Sequence, residues 1–218
     1  MLKLFIENHQ FNTIKYHALQ IVNACKSSIS NDVIFAVKYS GLEKIKEQFR
    51  ELSKYESELL ERIIQIDSSE SCEKFLNELE IFRKGIKKIS EKELKKLFPK
   101  KRKINVPKYL LNSNDKISFF SWDDIGLKKR FLLYQLNGEY IGVEGTYSST
   151  SHDSFCYFCR MKNKVNLVAF LSKAKSKNPD YYKIISQYIC LDIEECNAQI
   201  KNLSHLENLL YKLLKNDL

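Results

Sequence analysis

Two cysteine pairs mark the C-terminal third of this chain: FCYFC at residues 155–159 and YICLDIEECN at residues 188–197. A C-x2-C turn points two thiolates toward one tetrahedral metal ion, and a second pair completes four ligands. The resulting ligand set is Cys156, Cys159, Cys190 and Cys196. Four thiolates leave no open coordination position, so the sequence predicts one zinc ion with a structural role.

Other uses of these cysteines stay open at this point. Disulfides are rare in a reducing cytosol, and a redox C-x-x-C motif normally lies in a βαβ unit, which the sequence around Cys156 does not predict. An iron–sulfur cluster also binds four thiolates. The C-x5-C spacing of the second pair is loose, so His152 or His205 could replace one cysteine. We favour zinc because hairpin-separated cysteine pairs are typical of zinc sites.

The sequence around the cysteines predicts strands and one terminal helix. Alternating or continuous apolar runs predict strands over 116–122, 130–136, 139–143, 165–171 and 181–189. Asn137-Gly138 predicts a two-residue hairpin turn. A helix is predicted from about Glu194, with Cys196 in its first turn and an apolar stripe from Ile200 to Leu213. The C-x2-C turn at residues 156–159 (a zinc knuckle), the following hairpin and the terminal helix together predict a treble-clef-like four-cysteine zinc finger.

The first half of the chain has helical periodicity instead. Four apolar stripes follow steps of three and four residues: Phe11 to Cys25, Leu42 to Leu52, Leu59 to Ile66, and Cys72 to Ile86. Ser40-Gly41 and Asp67-Ser68-Ser69 are the predicted breaks, and Ser90 to Glu93 predicts a capping box for a short basic helix. The fold class is therefore α+β: an N-terminal antiparallel helical bundle over 1–86, then a C-terminal α/β zinc-finger domain over 87–218.

The positive charge of the chain is concentrated in one segment. The formal net charge is +9, and residues 83–103 alone hold 11 basic and 2 acidic side chains. We call residues 83–103 the basic segment; it runs into a predicted basic linker at about 99–108. A cationic strip of this kind suits RNA, the ribosome or an acidic protein, although a solvated helix face explains it equally well.

The remaining patterns favour a binding protein in the cytoplasm. No apolar run is long enough to span a bilayer and the N-terminus lacks a secretory pattern, so we expect no membrane association. The sequence contains no P-loop, no H-E-x-x-H and no nucleophile elbow, so we expect no enzymatic activity. We expect a monomer.

Several stretches, taken in order, resemble the FusB-type family of fusidic-acid-resistance proteins, which bind translation elongation factor G. They are LKKLF at 94–98, KRKINVP at 101–107, ISFFSW at 117–122, FCYFC at 155–159 and YICLD with CN at 188–192 and 196–197. The resemblance covers about residues 90–218. It implies a helical bundle, a four-cysteine zinc finger and binding to the C-terminal domains of elongation factor G. It also implies release of that factor from the ribosome when fusidic acid has stalled it, with zinc as a scaffold and only indirect contact with the ribosome.

The resemblance also implies which residues contact the factor. Phe155 matches a family aromatic, and Tyr188 matches a family tyrosine. Ile185 stands where the family has a lysine, which makes Lys183 the nearest cation, and Leu209 stands where the family has a phenylalanine. We expect the metal to bring Phe155 and Tyr188 close together, either as an interface hot spot or as a cover for the metal core.

A second function remains open from the sequence. Zinc domains with basic strips often contact RNA, and the basic segment could neutralise several phosphates. The alternative is therefore a zinc-containing RNA- or ribosome-binding protein that acts through residues 83–103.

Overall fold

The structure is a computed structural model that describes residues 3–27, 30–98, 107, 115–172 and 183–214. The chain divides into two compact units, Met1–Lys84 and Gly85–Leu218. Helices form the first unit, and an antiparallel sheet with further helices forms the second, which confirms the α+β fold class. Except for Pro107, the predicted linker 99–108 lies outside the described residues.

The first unit is built from four helices around one core. They are α1 (Asn8–Lys26), α2 (Asn31–Lys46), α3 (Lys54–Glu61), which continues as the 3-10 turn Arg62–Gln65, and α4 (Ser69–Glu80). α1 packs against α2 and α4, and α2 packs against α3. The apolar stripes predicted from the sequence supply the core, because one side of each helix is buried while the other is charged.

The predicted break at Ser40-Gly41 is wrong, because both residues lie inside α2. Glycine weakens a helix by about 1 kcal/mol relative to alanine but does not end it. Gly41 lies against His17 of α1, where an added Cβ would meet the His17 Cβ at 3.4 Å, an ordinary van der Waals contact. The packing of α1 on α2 keeps the helix continuous through this glycine. α2 ends at Lys46, and the last two residues of the predicted stripe, Phe49 and Leu52, follow the helix.

The predicted helix starts are confirmed at two places. Ser68 caps α4, its side chain accepting a hydrogen bond from the backbone N–H of Ser71. In the second unit, helix α5 (Glu91–Leu97) opens with the predicted capping box. There the backbone N–H of Ser90 donates to Glu93 at 2.8 Å, and the N–H of Glu93 donates to Ser90 Oγ at 3.2 Å. Each box satisfies N–H groups that the first helical turn leaves without partners.

The second unit contains a five-stranded antiparallel sheet in simple sequential order. Its strands are β1 (Phe120–Asp124), β2 (Lys129–Leu136), β3 (Glu139–Phe155), β4 (Lys162–Leu171) and β5 (Ile184–Cys190). The predicted turn between β2 and β3 is confirmed: Asn137 and Gly138 have φ of 50° and 87°, both in the left-handed region that a type I′ turn requires.

Strand β3 is much longer than the predicted 139–143. Residues 139–146 pair with β2, and the strand pairs with β4 from Gly145 to Phe155, with a register shift between Tyr147 and Ser151. Residues 146–154 are polar apart from Tyr147, so no apolar alternation marks them as a strand. Pairing with β4 holds this polar stretch in the sheet and carries the chain to the first cysteine pair.

Two hydrophobic cores lie on opposite faces of the sheet. Along β2, Leu132, Tyr134 and Leu136 belong to one core and Phe131 and Leu133 to the other, as the two-residue period of a strand requires. α5 packs on the second core. The first core contains helices α6 (Ile193–Gln199) and α7 (Ser204–Leu214).

The single terminal helix predicted from Glu194 is in fact α6 and α7. Ile200 is extended at the end of α6, and Asn202 accepts a hydrogen bond from the backbone N–H of Ser204, which starts α7. The predicted stripe from Ile200 to Leu213 is still packed in the core. The apolar pattern therefore identified the buried side chains. It did not reveal that the helix is interrupted between Gln199 and Ser204.

Candidate metal centre and partner surface

The structure brings the four predicted cysteines together in one buried cluster. Their Sγ atoms all lie within 4.8 Å of one another. The Sγ atoms of Cys156 and Cys196 are 3.8 Å apart, and those of Cys159 and Cys190 are 3.7 Å apart. These separations exceed the roughly 2.05 Å of a disulfide bond. They fit a tetrahedral ion, since metal–sulfur bonds of about 2.3 Å give tetrahedral edges of about 3.8 Å. The cluster could therefore hold one metal ion.

The four cysteines come from three parts of the second unit. Cys156 and Cys159 lie in the tight connection between β3 and β4, where the N–H of Arg160 donates to the Cys156 carbonyl at 3.0 Å. Arg160 has φ of 62°, and this left-handed residue turns the chain back into β4. Cys190 ends β5, and Cys196 lies in α6. The hairpin β4–β5 therefore closes the distance between two pairs that are remote in sequence.

Four buried thiols at this spacing cannot all carry their charge without a cation. Hydrogen bonds from Cys159, Cys190 and Cys196 lower the pKa of Cys156. Contact with the Cys156, Cys159 and Cys190 sulfurs, together with burial, raises the pKa of Cys196. A bound divalent cation removes this conflict because it stabilises all four thiolates at once.

Nitrogen donors surround the sulfurs. The backbone N–H groups of Phe158 and Cys190 each donate to Cys156 Sγ at 3.4 Å. Asn163 Nδ2 donates to Cys190 Sγ at 3.3 Å. Sequence reasoning missed Asn163; its position four residues after Cys159, at the start of the strand that follows the knuckle, was the available signal.

The two histidines considered as replacement ligands stand beside tyrosine rings. His152 packs edge-on to Tyr188 with ring centroids 4.8 Å apart, and His205 packs against Tyr157 at 5.3 Å. Within the described part of the chain, the cluster with metal-ligand geometry consists of the four cysteines.

Arg130 contacts the cysteine cluster through the backbone carbonyl of Cys190. Sequence reasoning also missed this residue. Its Nη1 donates to the Cys190 carbonyl at 2.6 Å, and its Nε and Nη2 donate to the Asp123 carboxylate at 2.7 and 2.8 Å. Arg130 and Asp123 are opposite each other in the β1–β2 register. The ion pair allows a guanidinium that is only 1% exposed to remain charged.

The four predicted partner residues have different surroundings. Phe155 and Tyr188 are 64% and 40% exposed, and Lys183 is also exposed. Leu209, in contrast, is 1% exposed and lies in the core with Leu206, Leu210 and Leu213. The expectation that Leu209 contacts a partner is therefore corrected: its side chain faces inward from α7.

Phe155 and Tyr188 also do not form the expected adjacent pair. The ring of Tyr188 contacts His152, and Phe155 follows His152 by three residues in a regular part of β3. Because side chains alternate along a strand, Phe155 points to the opposite side of the sheet from His152 and Tyr188. The two exposed rings lie at the same end of the hairpin but on different faces.

One protein-family model matches the first unit of the chain. Residues 5–87 match the family model described as elongation factor G-binding protein, N-terminal. A search among curated proteins finds no match to the sequence.

The whole chain shares its fold with a solved structure, that of the fusidic acid resistance protein FusC. The TM-score is 0.80 and the identity is 22%, with 97% of this chain and 98% of FusC covered. At this identity the likeness shows the fold. The family match and the common fold together support the FusB-type family that the sequence resembles.

Part of the predicted basic segment lies in the described residues and is exposed. Lysines 87, 88, 92, 95 and 96 are exposed on and before α5. Residues 99–106 are outside the described residues. Within the described ranges, no helix is both long and apolar enough to cross a membrane.

Proposed function

We propose that this protein binds elongation factor G and protects translation from fusidic acid by promoting release of the factor from the ribosome. The match of residues 5–87 to the elongation factor G-binding family carries the proposal. The fold common to this chain and FusC, a fusidic acid resistance protein, supports it along nearly the whole length. Such a role belongs in the cytoplasm, and we propose that one monomer acts on one factor.

We propose that the metal is zinc and that its role is structural. All four Sγ atoms lie within 4.8 Å of one another, which suits a single ion bonded directly to every sulfur. A cluster with sulfide between several irons would need the thiolates to stand farther apart. Elemental analysis of the purified protein is expected to give one zinc per chain; iron with visible absorption would contradict this assignment.

We propose that Tyr188, Phe155 and Lys183 contact the factor. The metal-bound end of the hairpin holds Tyr188 rigidly, since its carbonyl accepts a hydrogen bond from the N–H of Tyr157 at 2.7 Å. A tyrosine on a rigid base loses little conformational entropy on binding, which is typical of an interface hot spot. Lys183 would add to the rate of association more than to affinity.

The experiment is isothermal titration of the zinc-loaded chain against elongation factor G without ribosomes. We expect a saturable one-to-one complex. Tyr188→Ala is expected to weaken it at least about tenfold, the scale of a hot-spot residue. Tyr211→Ala is the matched control, because Tyr211 is a tyrosine of similar exposure (44%) on α7.

The possible outcomes test two claims separately: binding of elongation factor G, and the role of Tyr188 in that binding. Absence of a complex with the native chain would overturn binding of elongation factor G. A native complex that Tyr188→Ala leaves unchanged, or that Tyr211→Ala weakens equally, would overturn the contact assigned to Tyr188. Zinc content of each variant shows that the fold is intact. Rescue of fusidic-acid-stalled translation in a reconstituted system then tests the release step.

The second candidate is direct RNA binding through the basic segment. The observation in its favour is the exposure of Lys92, Lys95 and Lys96 on α5, where Lys95 forms a long 3.9 Å ion pair with Glu91. RNA binding through phosphates requires affinity to fall steeply with salt. Titration of ribosomal RNA at several salt concentrations tests this, and weak binding without a salt slope would eliminate the candidate.

A further inference from the structure

Asn163 stands at the centre of a short chain of polar side chains that ends on the metal-binding sulfurs. Its Nδ2 lies 3.3 Å from Cys190 Sγ and 3.8 Å from Cys159 Sγ. The same nitrogen lies 2.6 Å from Gln199 Oε1, and Gln199 Nε2 lies 3.1 Å from Glu195 Oε1. These hydrogen-bonded side chains therefore connect β4 to α6, the helix that carries Cys196.

The direction of these hydrogen bonds is fixed by chemistry from the outer end. A carboxylate can only accept hydrogen bonds, so Glu195 requires the amide NH2 of Gln199. The carbonyl oxygen of Gln199 therefore faces Asn163 and accepts a hydrogen bond. Asn163 must donate that hydrogen bond from its NH2 group. The second hydrogen of that NH2 group is left for sulfur, so the exposed carboxylate of Glu195 orients a donor toward the thiolates.

The thiolates need such donors because their charge exceeds that of the ion. Four thiolates around a divalent cation carry a net charge of about −2 in a buried site, which is costly without hydrogen bonds to the sulfurs. Cys156 receives two backbone N–H groups. For Cys190 and Cys159, the donor nitrogen is that of Asn163.

We propose that Asn163, oriented by Gln199 and Glu195, donates its remaining hydrogen chiefly to the nearer thiolate, that of Cys190, and thereby sets the affinity of this protein for its metal ion. Asn163 is thus a positioning residue that acts on the ligands without binding the metal. The proposal rests on the metal site proposed above and is independent of binding to elongation factor G.

The test uses the full chain loaded with Co²⁺, whose visible spectrum reports on bonded sulfur, and then with Zn²⁺. Asn163→Leu removes the donor at similar size, and Asn163→Asp keeps the shape but turns a carboxylate toward the sulfurs. Competition with a chelator is expected to show an affinity about 10- to 100-fold lower for both, the usual effect of losing a residue that orients metal ligands. The sulfur-to-cobalt charge-transfer band is expected at lower energy, because a thiolate without its hydrogen bond gives up electrons more readily.

Asn166→Leu is the control, since Asn166 is a buried asparagine on the same strand whose amide donates to the Ser148 carbonyl and not to sulfur. Gln199→Leu, in a half-buried position, is a milder variant that is expected to lower affinity in the same direction. Unchanged affinity and spectrum in the Asn163 variants, or an equal loss in Asn166→Leu, would overturn the role of Asn163. Failure of the native chain to bind Co²⁺ would overturn the metal site and this proposal together.

Discussion

Arg130 is the residue on which several elements of the second unit converge. It lies on β2, pairs with Asp123 on β1 and donates to the carbonyl of Cys190 at the end of β5. A buried guanidinium is tolerated only when its charge and its N–H groups have partners. The ion pair and the carbonyl together meet this requirement, so Arg130 connects the middle of the sheet to the strand that ends in Cys190.

We expect Arg130→Met to destabilise the second unit by about 3 kcal/mol, the lower end of the range for removing one partner of a buried ion pair. The lower end applies because Asp123 is partly exposed and can be hydrated once its partner is gone. Urea unfolding followed by the fluorescence of Trp122, the single tryptophan of the chain, measures the change in the free energy of unfolding.

The double variant Arg130→Met with Asp123→Leu tests whether the two residues are energetically coupled. It removes both charges and is therefore expected to be more stable than Arg130→Met alone. If the double variant lost the sum of the two single effects, the two residues would not be coupled and the interpretation would fail.

Among the helices, the start of α3 depends on one acidic side chain. Glu56 accepts hydrogen bonds from the backbone N–H and the hydroxyl of Ser53, each at 2.8 Å, and lies 2.9 Å from Lys3 Nζ. The Ser53 N–H and then the Lys3 ammonium lower the pKa of Glu56 from 4.5 to about 2. The ionised carboxylate therefore holds the capping box together.

We expect Glu56→Gln to destabilise the helical unit by about 1–2 kcal/mol at neutral pH, the scale of a lost helix cap. Because the folded-state pKa is depressed, the contribution of Glu56 is present above about pH 4.5 and is lost as pH falls toward 2. The gap between native and variant stability should close over that window. Urea unfolding followed by far-UV circular dichroism across this pH range measures it.

Glu58→Gln on the same helix provides the comparison. Glu58 is exposed and forms a long 4.0 Å ion pair with the exposed Lys54, so its replacement should change stability little at any pH. A gap for Glu56→Gln that stayed constant down to pH 2 would show that the carboxylate charge is not what stabilises the cap.

On the scale of the whole molecule, each unit has a core of its own, and only the second contains the cysteine cluster. The first core is supplied by α1 to α4 and their connections. The two cores of the second unit flank its sheet, and the four cysteines belong to one of them. A metal ion in this cluster would therefore contribute to the folding of the second unit and not directly to that of the first.

We expect chelation of the metal to unfold the second unit selectively. Trp122 lies in the core beneath α5, so its emission should shift to longer wavelength as that core opens. Most of the far-UV ellipticity should remain, because α1 to α4 hold most of the described helical residues. Titration with a chelator, followed by both signals and reversed with Zn²⁺, measures this.

Simultaneous loss of both signals would show that the helical unit depends on the metal as well. Retention of the native Trp122 emission after complete metal removal would show that the hydrophobic cores suffice without it. Either result would contradict a purely local structural role for the ion.

Features that depend on local chemistry could be predicted from the order of the amino acids alone. Apolar periodicity identified the helical and sheet halves, because a helix or strand must turn one side toward a core. The capping residues Ser68 and Ser90 and the turn at Asn137-Gly138 were predictable because their hydrogen bonds and backbone angles involve neighbouring residues. Cysteine spacing predicted the ligand set, because two pairs of thiolates suit one tetrahedral ion.

Only the tertiary structure decided the features that depend on residues distant in sequence. Gly41 continues a helix because α1 packs against it, and Leu209 is buried because α7 turns that side chain into the sheet core. Phe155 and Tyr188 are separated by the alternation of strands whose register the sequence did not fix. Asn163, Gln199 and Arg130 reach the cysteines only once the hairpin and α6 are in place, since hydrogen-bond partners far apart in the chain leave no periodic signal.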